Sequence, residues 1–173
     1  MRRTLERGFT LLELMVALSI ATILAVIAVP SYQGLIARNR AVTEANSMLG
    51  LFTYARNEAV KRNATVNICK TSSGTSCSTA GTISWANGIL IWSDTDGDGA
   101  VDGNEIIRAV VPFSTGSTIT VSGSGLQNSY GYRATGLGNS STGSFTIRTG
   151  SDSAYAYTLT INSTGRPYVS AAQ

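Results

Sequence analysis

The sequence has no histidine among its 173 residues, so the commonest general base and a common metal ligand are both missing. Its two cysteines, Cys69 and Cys77, are too few for a disulfide scaffold or a site built of thiolates alone. Only 13% of residues are charged and only three are proline. Basic residues outnumber acidic ones 13 to 10, but the first eight residues hold Arg2, Arg3 and Arg7 against Glu6, leaving 10 basic residues facing 9 acidic ones beyond them. The basic excess is thus concentrated at the N-terminus and says little for a nucleic-acid-binding surface. The serines have no recognisable base and the acidic cluster has turn spacing, so a non-enzymatic protein is expected. Glycine (18 residues), serine and threonine are abundant between short alternating apolar runs, which points to β-structure with many turns. The length suits one domain plus an anchor.

The longest apolar run opens at Phe9 and extends to about Val29, with Glu13 as its only charged residue. About twenty residues rising 1.5 Å each cross a hydrocarbon layer of ~30 Å. Three arginines ahead of the run hold that end in the cytoplasm and put the remainder outside. An ordinary secretory signal would have a shorter apolar region ending at a small-residue site. Here the basic residues stop at Gly8-Phe9 and the run passes into an amphipathic helix. A plain signal anchor is the alternative reading. A carboxylate in such a run costs ~2.5–3.5 kcal/mol on insertion scales and normally has a partner. No Lys or Arg lies between Phe9 and Arg38, so Glu13 is expected to be protonated or to meet a partner on another molecule, unless it is simply tolerated near the interface.

Gly8-Phe9-Thr10-Leu11-Leu12-Glu13-Leu14 resembles the type III leader motif of type IV pilins and type II secretion pseudopilins. Tyr54-Ala55-Arg56-Asn57-Glu58-Ala59-Val60-Lys61-Arg62-Asn63 resembles the end of the long helix in GspH/FimT-type members of that group. The likeness continues more loosely through Cys69, Trp85, Gly88 and Asp94 to Gly165-Arg166. It implies cleavage by a prepilin peptidase between Gly8 and Phe9, methylation of the new Phe9 amino group, and pairing of Glu13 with the Phe9 ammonium of a neighbouring subunit. It also implies partners: other pilins or pseudopilins through the N-terminal helix, and an assembly platform in the bacterial inner membrane. Pro30 occupies a family proline position, where the helix can melt during filament assembly. A passive kink is an equal reading.

Beyond Pro30 the helical pattern persists to about Arg62, with Val42, Ala45, Leu49, Phe52 and Ala59 on one face. Arg38, Arg40, Glu44, Glu58 and Lys61 lie mostly off it, and Arg40–Glu44 and Glu58–Arg62 have i,i+4 spacing. The expected organisation is a leader over 1–8, a transmembrane half-helix over 9–30, an amphipathic half over 31–63 and a β-rich head over 64–173. That is an α+β fold: a long N-terminal helix and an antiparallel sheet packed on its apolar face. Strands are expected at 64–70, 88–93, 106–112, 117–122, 128–134, 144–149, 154–162 and near 166–170.

Two features of the head bear on chemistry. An even cysteine pair in an exported chain reads as one disulfide, although the spacing of Cys69 and Cys77 equally admits two buried thiols. Asp94, Asp96, Asp98, Ala100, Asp102 and Glu105 have the spacing of a calcium loop, with Gly99 at its sixth position. The flanks read as strands rather than helices, so the alternative is a polar hairpin turn with no cofactor. The functional expectation is a minor pilin or pseudopilin that primes or caps a type IV pilus or a type II secretion pseudopilus. The alternative is a FimT-like, DNA-binding minor pilin for natural transformation. Such members carry Gly-Arg-x-Arg where this chain has Gly165-Arg166-Pro167-Tyr168, so DNA would fall to Arg166 with Arg133 and Arg148, if those share a face.

Overall fold

A computed structural model describes residues 9–110, 113–114, 116–139, 142–149 and 155–172. The expected leader, with Gly8, lies outside them. The chain divides into two compact units, one ending at Ile36 and the other beginning at Ala37.

Helix α1 runs Leu11–Arg62 and is continuous through position 30. It ends where Asn63 takes a left-handed φ of 52° and the Ala64 amide bonds back to the Ala59 carbonyl at 3.2 Å, a C-terminal cap that asparagine accommodates. Within the first unit no side chain described between Phe9 and Ala28 is buried. An 18-residue window there has a mean hydropathy of 2.5, long and apolar enough to cross a membrane. Its hydroxyls do not spoil that surface: Ser19 donates to the Met15 carbonyl and Thr22 to those of Leu18 and Ser19.

The second unit packs the remainder of α1 on eight strands. These are β1 (Val66–Lys70), β2 (Ile89–Trp92), β3 (Ile106–Val110), β4 (Ser117–Ser122), β5 (Ser129–Tyr132), β6 (Gly143–Thr149), β7 (Ala156–Ile161) and β8 (Pro167–Ala171). They form two antiparallel four-stranded sheets, in the orders β3-β2-β1-β5 and β4-β6-β7-β8, where the sequence suggested one. The chain changes sheet between β4 and β5. Gly123 turns there with φ 104°, so close to Gly143 that a side chain would meet its Cα at 2.9 Å. The following 3-10 turn, Ser124–Leu126, drives Leu126 fully into the core.

The helix face against the sheets is also shifted from the expected one. Ala41, Ala45, Met48, Phe52, Ala55 and Ala59 are fully buried, whereas Val42 and Leu49 are only half-buried. Small side chains let the backbone approach both sheets, and Phe52 fills the space between them. Its ring lies 5.3 Å from Phe145 of β6, 6.1 Å from Tyr130 of β5 and 6.2 Å from Trp85. The β3-β2-β1-β5 sheet is covered on both faces. Val66, Ile68, Ile89 and Ile91 join the helix side, while Cys69, Leu90 and Trp92 form a second cluster with Cys77, Val101 and Ile106. This is why β2, Ile-Leu-Ile-Trp, shows no alternation and is buried at every position.

Burial brings two glutamates with it that the sequence placed outside. Glu58 is 7% exposed and accepts from Arg62 Nε at 2.7 Å, with Lys61 at 3.5 Å. The Arg62 hydrogen bond holds its carboxyl below the usual carboxylate range. Glu44 is 6% exposed and does not pair with Arg40; its Oε1 instead accepts from the Ser114 amide and the Ser117 hydroxyl.

Candidate functional site

The first turn of α1 is built by its own sequence. Thr10 Oγ1 accepts from the Glu13 amide at 3.2 Å, while Glu13 Oε2 faces the Thr10 amide and hydroxyl, each at 3.4 Å. This is a reciprocal capping box, threonine with glutamate three residues on. The pattern is present in Thr10-Leu11-Leu12-Glu13 but is masked when Glu13 is read only as a charge in an apolar run. Thr10 is thus a local hydrogen-bond partner of Glu13, besides the readings that its place in an apolar run suggested. Both Glu13 contacts are long, and long hydrogen bonds are weak, so the carboxylate stays free to exchange them for a cation. Phe9, at 84% exposed, and Leu11, at 76%, stand beside it on a surface with no polar cover. The arrangement suits an apolar setting for this segment.

In the acidic loop the expected six-residue calcium set is only partly assembled. Carboxylate oxygens of Asp94, Asp96 and Asp98 come within 4.8 Å of one another, and these three could hold a cation. They also turn on their own backbone: Asp94 accepts from the Gly97 and Gly99 amides, Asp96 from that of Asp98, and Asp98 from that of Ala100. Glu105 is committed elsewhere. It is 3% exposed, and its Oε1 accepts from the amide and hydroxyl of Thr95, its Oε2 from the Asp102 amide. Asp102 offers that amide and its carbonyl rather than its carboxylate. Glu105 therefore closes the loop on itself, the role the turn reading gives to such residues.

The Thr95 amide, more than any other group, holds the Glu105 carboxyl below the usual carboxylate range. A depressed folded-state value means a contribution present above the unfolded value, about 4.3, and lost as pH falls through the folded one. Urea unfolding should therefore show stability falling as pH drops below about 4. Glu105→Gln should be less stable at pH 7 and have a shallower acid slope. Glu58 keeps its own share of that slope. Identical slopes in the two proteins would remove Glu105 from the account.

Cys69 at the end of β1 is joined to Cys77, with Cα atoms 5.6 Å apart, and the bridge staples the loop that covers Trp92. The three arginines considered for DNA do not gather. Arg166 sits in the β7–β8 turn and Arg133 in a turn beside it, where Gly138 abuts Gly165. Arg148 pairs with Ala156, at the other end of the sheet from the Ile161–Pro167 pair, roughly 20 Å away at ~3.3 Å per residue. Asn162 explains the glycine-arginine pair structurally: its side-chain oxygen accepts from the amides of Thr164 and Arg166.

Two family models match the chain. One is described as type II transport protein GspH, over residues 44–165. The other is described as the prokaryotic N-terminal methylation motif, over residues 3–29. The type IV major fimbrial protein FimA of Dichelobacter nodosus is 53% identical over 38 residues, 22% of this chain and 24% of that protein. The chain thus matches about a quarter of that relative's length. Among solved structures, the type IV minor pilin FimU of Pseudomonas aeruginosa superimposes with a TM-score of 0.61 at 19% identity, covering 79% of this chain and 95% of that one. The minor pseudopilin EpsH of the Vibrio cholerae type 2 secretion system gives 0.51 at 11% identity, covering 76% and 97%. At these identities the two structures share the fold.

Proposed function

The chain belongs to the GspH family, and from that premise we propose that it is a minor pilin or pseudopilin, a non-enzymatic subunit that primes or caps a type IV pilus or a type II secretion pseudopilus. The leader is removed between Gly8 and Phe9 by a prepilin peptidase at the inner membrane, and the Phe9 amino group is methylated. The match to a methylation-motif model over residues 3–29 supports that reading. The chain then crosses the inner membrane once, N-terminus inside, until the assembly platform transfers it into a filament. Pro30 lies where α1 would locally melt on transfer.

The observation that carries the proposal is the exposed, mainly apolar surface described from Phe9 to Ala28, in which Glu13, in the first turn of α1, is the one charged residue. In a filament core that surface packs on its neighbours. The Glu13 carboxylate trades its two long contacts with Thr10 for the Phe9 ammonium of a neighbour, a shorter, charge-assisted bond. Displacement of either group by one helical turn would leave a charge in apolar surroundings, which fixes the register.

In the native host, the mature protein should have the mass of a chain starting at N-methylated Phe9. Glu13→Ala should still reach the membrane but enter the fibre fraction at about a tenth of the normal amount or less, the loss expected for a desolvated charge pair. A mature chain beginning at Met1, or unchanged incorporation of the variant, would overturn the proposal. DNA capture is left with Arg133 and Arg166 at one end of the second unit, and affinity that scales with phosphates neutralised is small for two groups.

A further inference from the structure

Arg148 stands apart from Arg133 and Arg166, but not from other arginines. Its neighbour Thr149 donates to the Ala37 carbonyl at 2.8 Å, which ties the end of β6 to the point where α1 enters the second unit. Arg38 follows at once and Arg40 two residues later. Consecutive Cα atoms are ~3.8 Å apart, so the Cα atoms of all three arginines lie within roughly 10 Å of that one hydrogen bond. Arg38 and Arg40 are exposed. Arg148 is half-buried, on the face of β6 turned away from Phe145, Ile147 and Thr149. None of the three makes a salt bridge among the described residues, where both such bridges belong to Glu58. The one acid described near them, Glu44, is buried and held by Ser114 and Ser117.

The exposed acids lie elsewhere. The Ser93 hydroxyl donates to the Thr65 carbonyl at 2.9 Å, which holds the start of the acidic loop just past the C-terminal end of α1. Arg62 is roughly 36 Å from Arg38 along that helix at ~1.5 Å per residue. Charges of both signs are mixed at this far end, whereas the exposed charges described at the near end are all positive. Arg38 and Arg40, two residues apart, point about 200° apart around the helix axis. A protein seated on one side of α1 would meet only one of them. A plane that the helix crosses meets both, with Arg148 beside them. Arg38 comes nine residues after Val29, roughly 14 Å of helix. The headgroup layer fills roughly 5–8 Å of that distance. A guanidinium on its long stem can turn back across the remainder, which is also within the Debye length of about 8 Å at physiological salt.

We propose that Arg38, Arg40 and Arg148 form a basic collar that docks the second unit on anionic phospholipid headgroups where α1 leaves the membrane. The collar rests on the reading of α1 as a membrane anchor, and adds to it the class of lipid.

The full mature chain would be placed in nanodiscs of phosphatidylcholine and, separately, of phosphatidylcholine mixed with phosphatidylglycerol, each with a trace of lipid spin-labelled at the headgroup. Broadening of the Ala37 and Thr149 methyl signals reports the docked position. At low salt it should be at least about fivefold stronger with phosphatidylglycerol, the weight of one arginine at an anionic surface, and it should fall as salt is raised. The triple variant Arg38→Gln, Arg40→Gln, Arg148→Gln should lose the difference between the lipids. The wild-type comparison needs no variant and so holds even if the triple variant fails to fold. Equal broadening in the two lipids, or a difference that survives in the triple variant, would overturn the inference. A second label, at the acyl-chain ends, reads insertion from the methyl signals of Ala21 and Ala25. No broadening there in either lipid would remove the membrane anchor and the collar together. Strong broadening there, with no lipid difference at Thr149, would remove the collar alone.

Discussion

Truncation of Phe52 to alanine should destabilise the second unit by about 3–5 kcal/mol, the range for removing a fully buried aromatic ring. Phe52 is 0% exposed, and it touches rings from both sheets as well as Trp85. Trp85 in turn meets Phe145 edge-on at 5.0 Å and donates its indole N–H to the Leu126 carbonyl at 3.1 Å. Aromatic pairs of this kind add about 0.5–1.5 kcal/mol beyond the area they bury. The cavity left by Phe52→Ala cannot be closed by one element moving in, because its walls belong to a helix, a loop and two separate sheets. Domains of this size have about 5–15 kcal/mol to lose, so the variant should be near its unfolding threshold at 37 °C. Urea unfolding followed by tryptophan fluorescence measures it. Thr53→Ala, on the exposed side of the same turn, is the control and should stay within about 0.5 kcal/mol. A cost under about 1 kcal/mol for Phe52→Ala would mean that the ring is not the joint between the sheets.

Gly165→Ala should cost about 2–5 kcal/mol, from two separable causes. The first is the backbone: Gly165 has φ +77°, a left-handed conformation that costs an alanine about 1–2 kcal/mol. The second is space. A Cβ at this position would lie 2.6 Å from the Gly138 amide nitrogen and 3.1 Å from a ring carbon of Tyr132. Gly138 itself sits against the buried hydroxyl of Tyr130, so the turn after β5 cannot retreat without disturbing the core. Overpacking of this sort adds about 1–3 kcal/mol. Gly97→Ala separates the two terms: it has φ +82° but nothing within 4 Å of the added carbon, so it should show the backbone cost alone. If the two alanines destabilise equally, the close approach of Gly138 and Gly165 contributes nothing. The glycine of the glycine-arginine pair is thus accounted for by a contact between the two sheets' turns, with no ligand required.

The local features of this chain are legible in its sequence. Strand β4 falls on 117–122 as expected, β1 and β2 fall within the expected 64–70 and 88–93, and α1 stops at Arg62. These elements declare themselves through apolar periodicity or, in β2, a short continuous apolar run, and through glycine-rich breaks and an asparagine cap, all of which act within a few residues. Periodicity misplaces the helix face by about one residue because four of its buried positions are alanine, which has too little apolar weight to stand out against Val42 and Leu49. Glu44 and Glu58 look like solvent-side charges when partners are sought only along the helix. Glu58 does find Arg62 four residues on, but the partners of Glu44 lie 70 and 73 residues away. Glu105 has the spacing of a cation ligand, and only the folded loop shows its oxygens taken by Thr95 and Asp102.

By itself, the sequence determined that an apolar segment opening at Phe9 carries a single acid and continues into a long helix, and that a glycine-rich β region follows. Those properties depend on hydropathy and on interactions a few residues apart, which any short stretch of chain already contains. Only the tertiary structure decided that the strands divide into two sheets, that Phe52 sits between them, that Gly138 and Gly165 touch, and that Glu44 accepts from Ser114 and Ser117. Each of these is a meeting of segments separated by tens of residues. Their energies depend on shape and on which hydrogen bonds are left unmade, and neither exists until the chain has closed on itself.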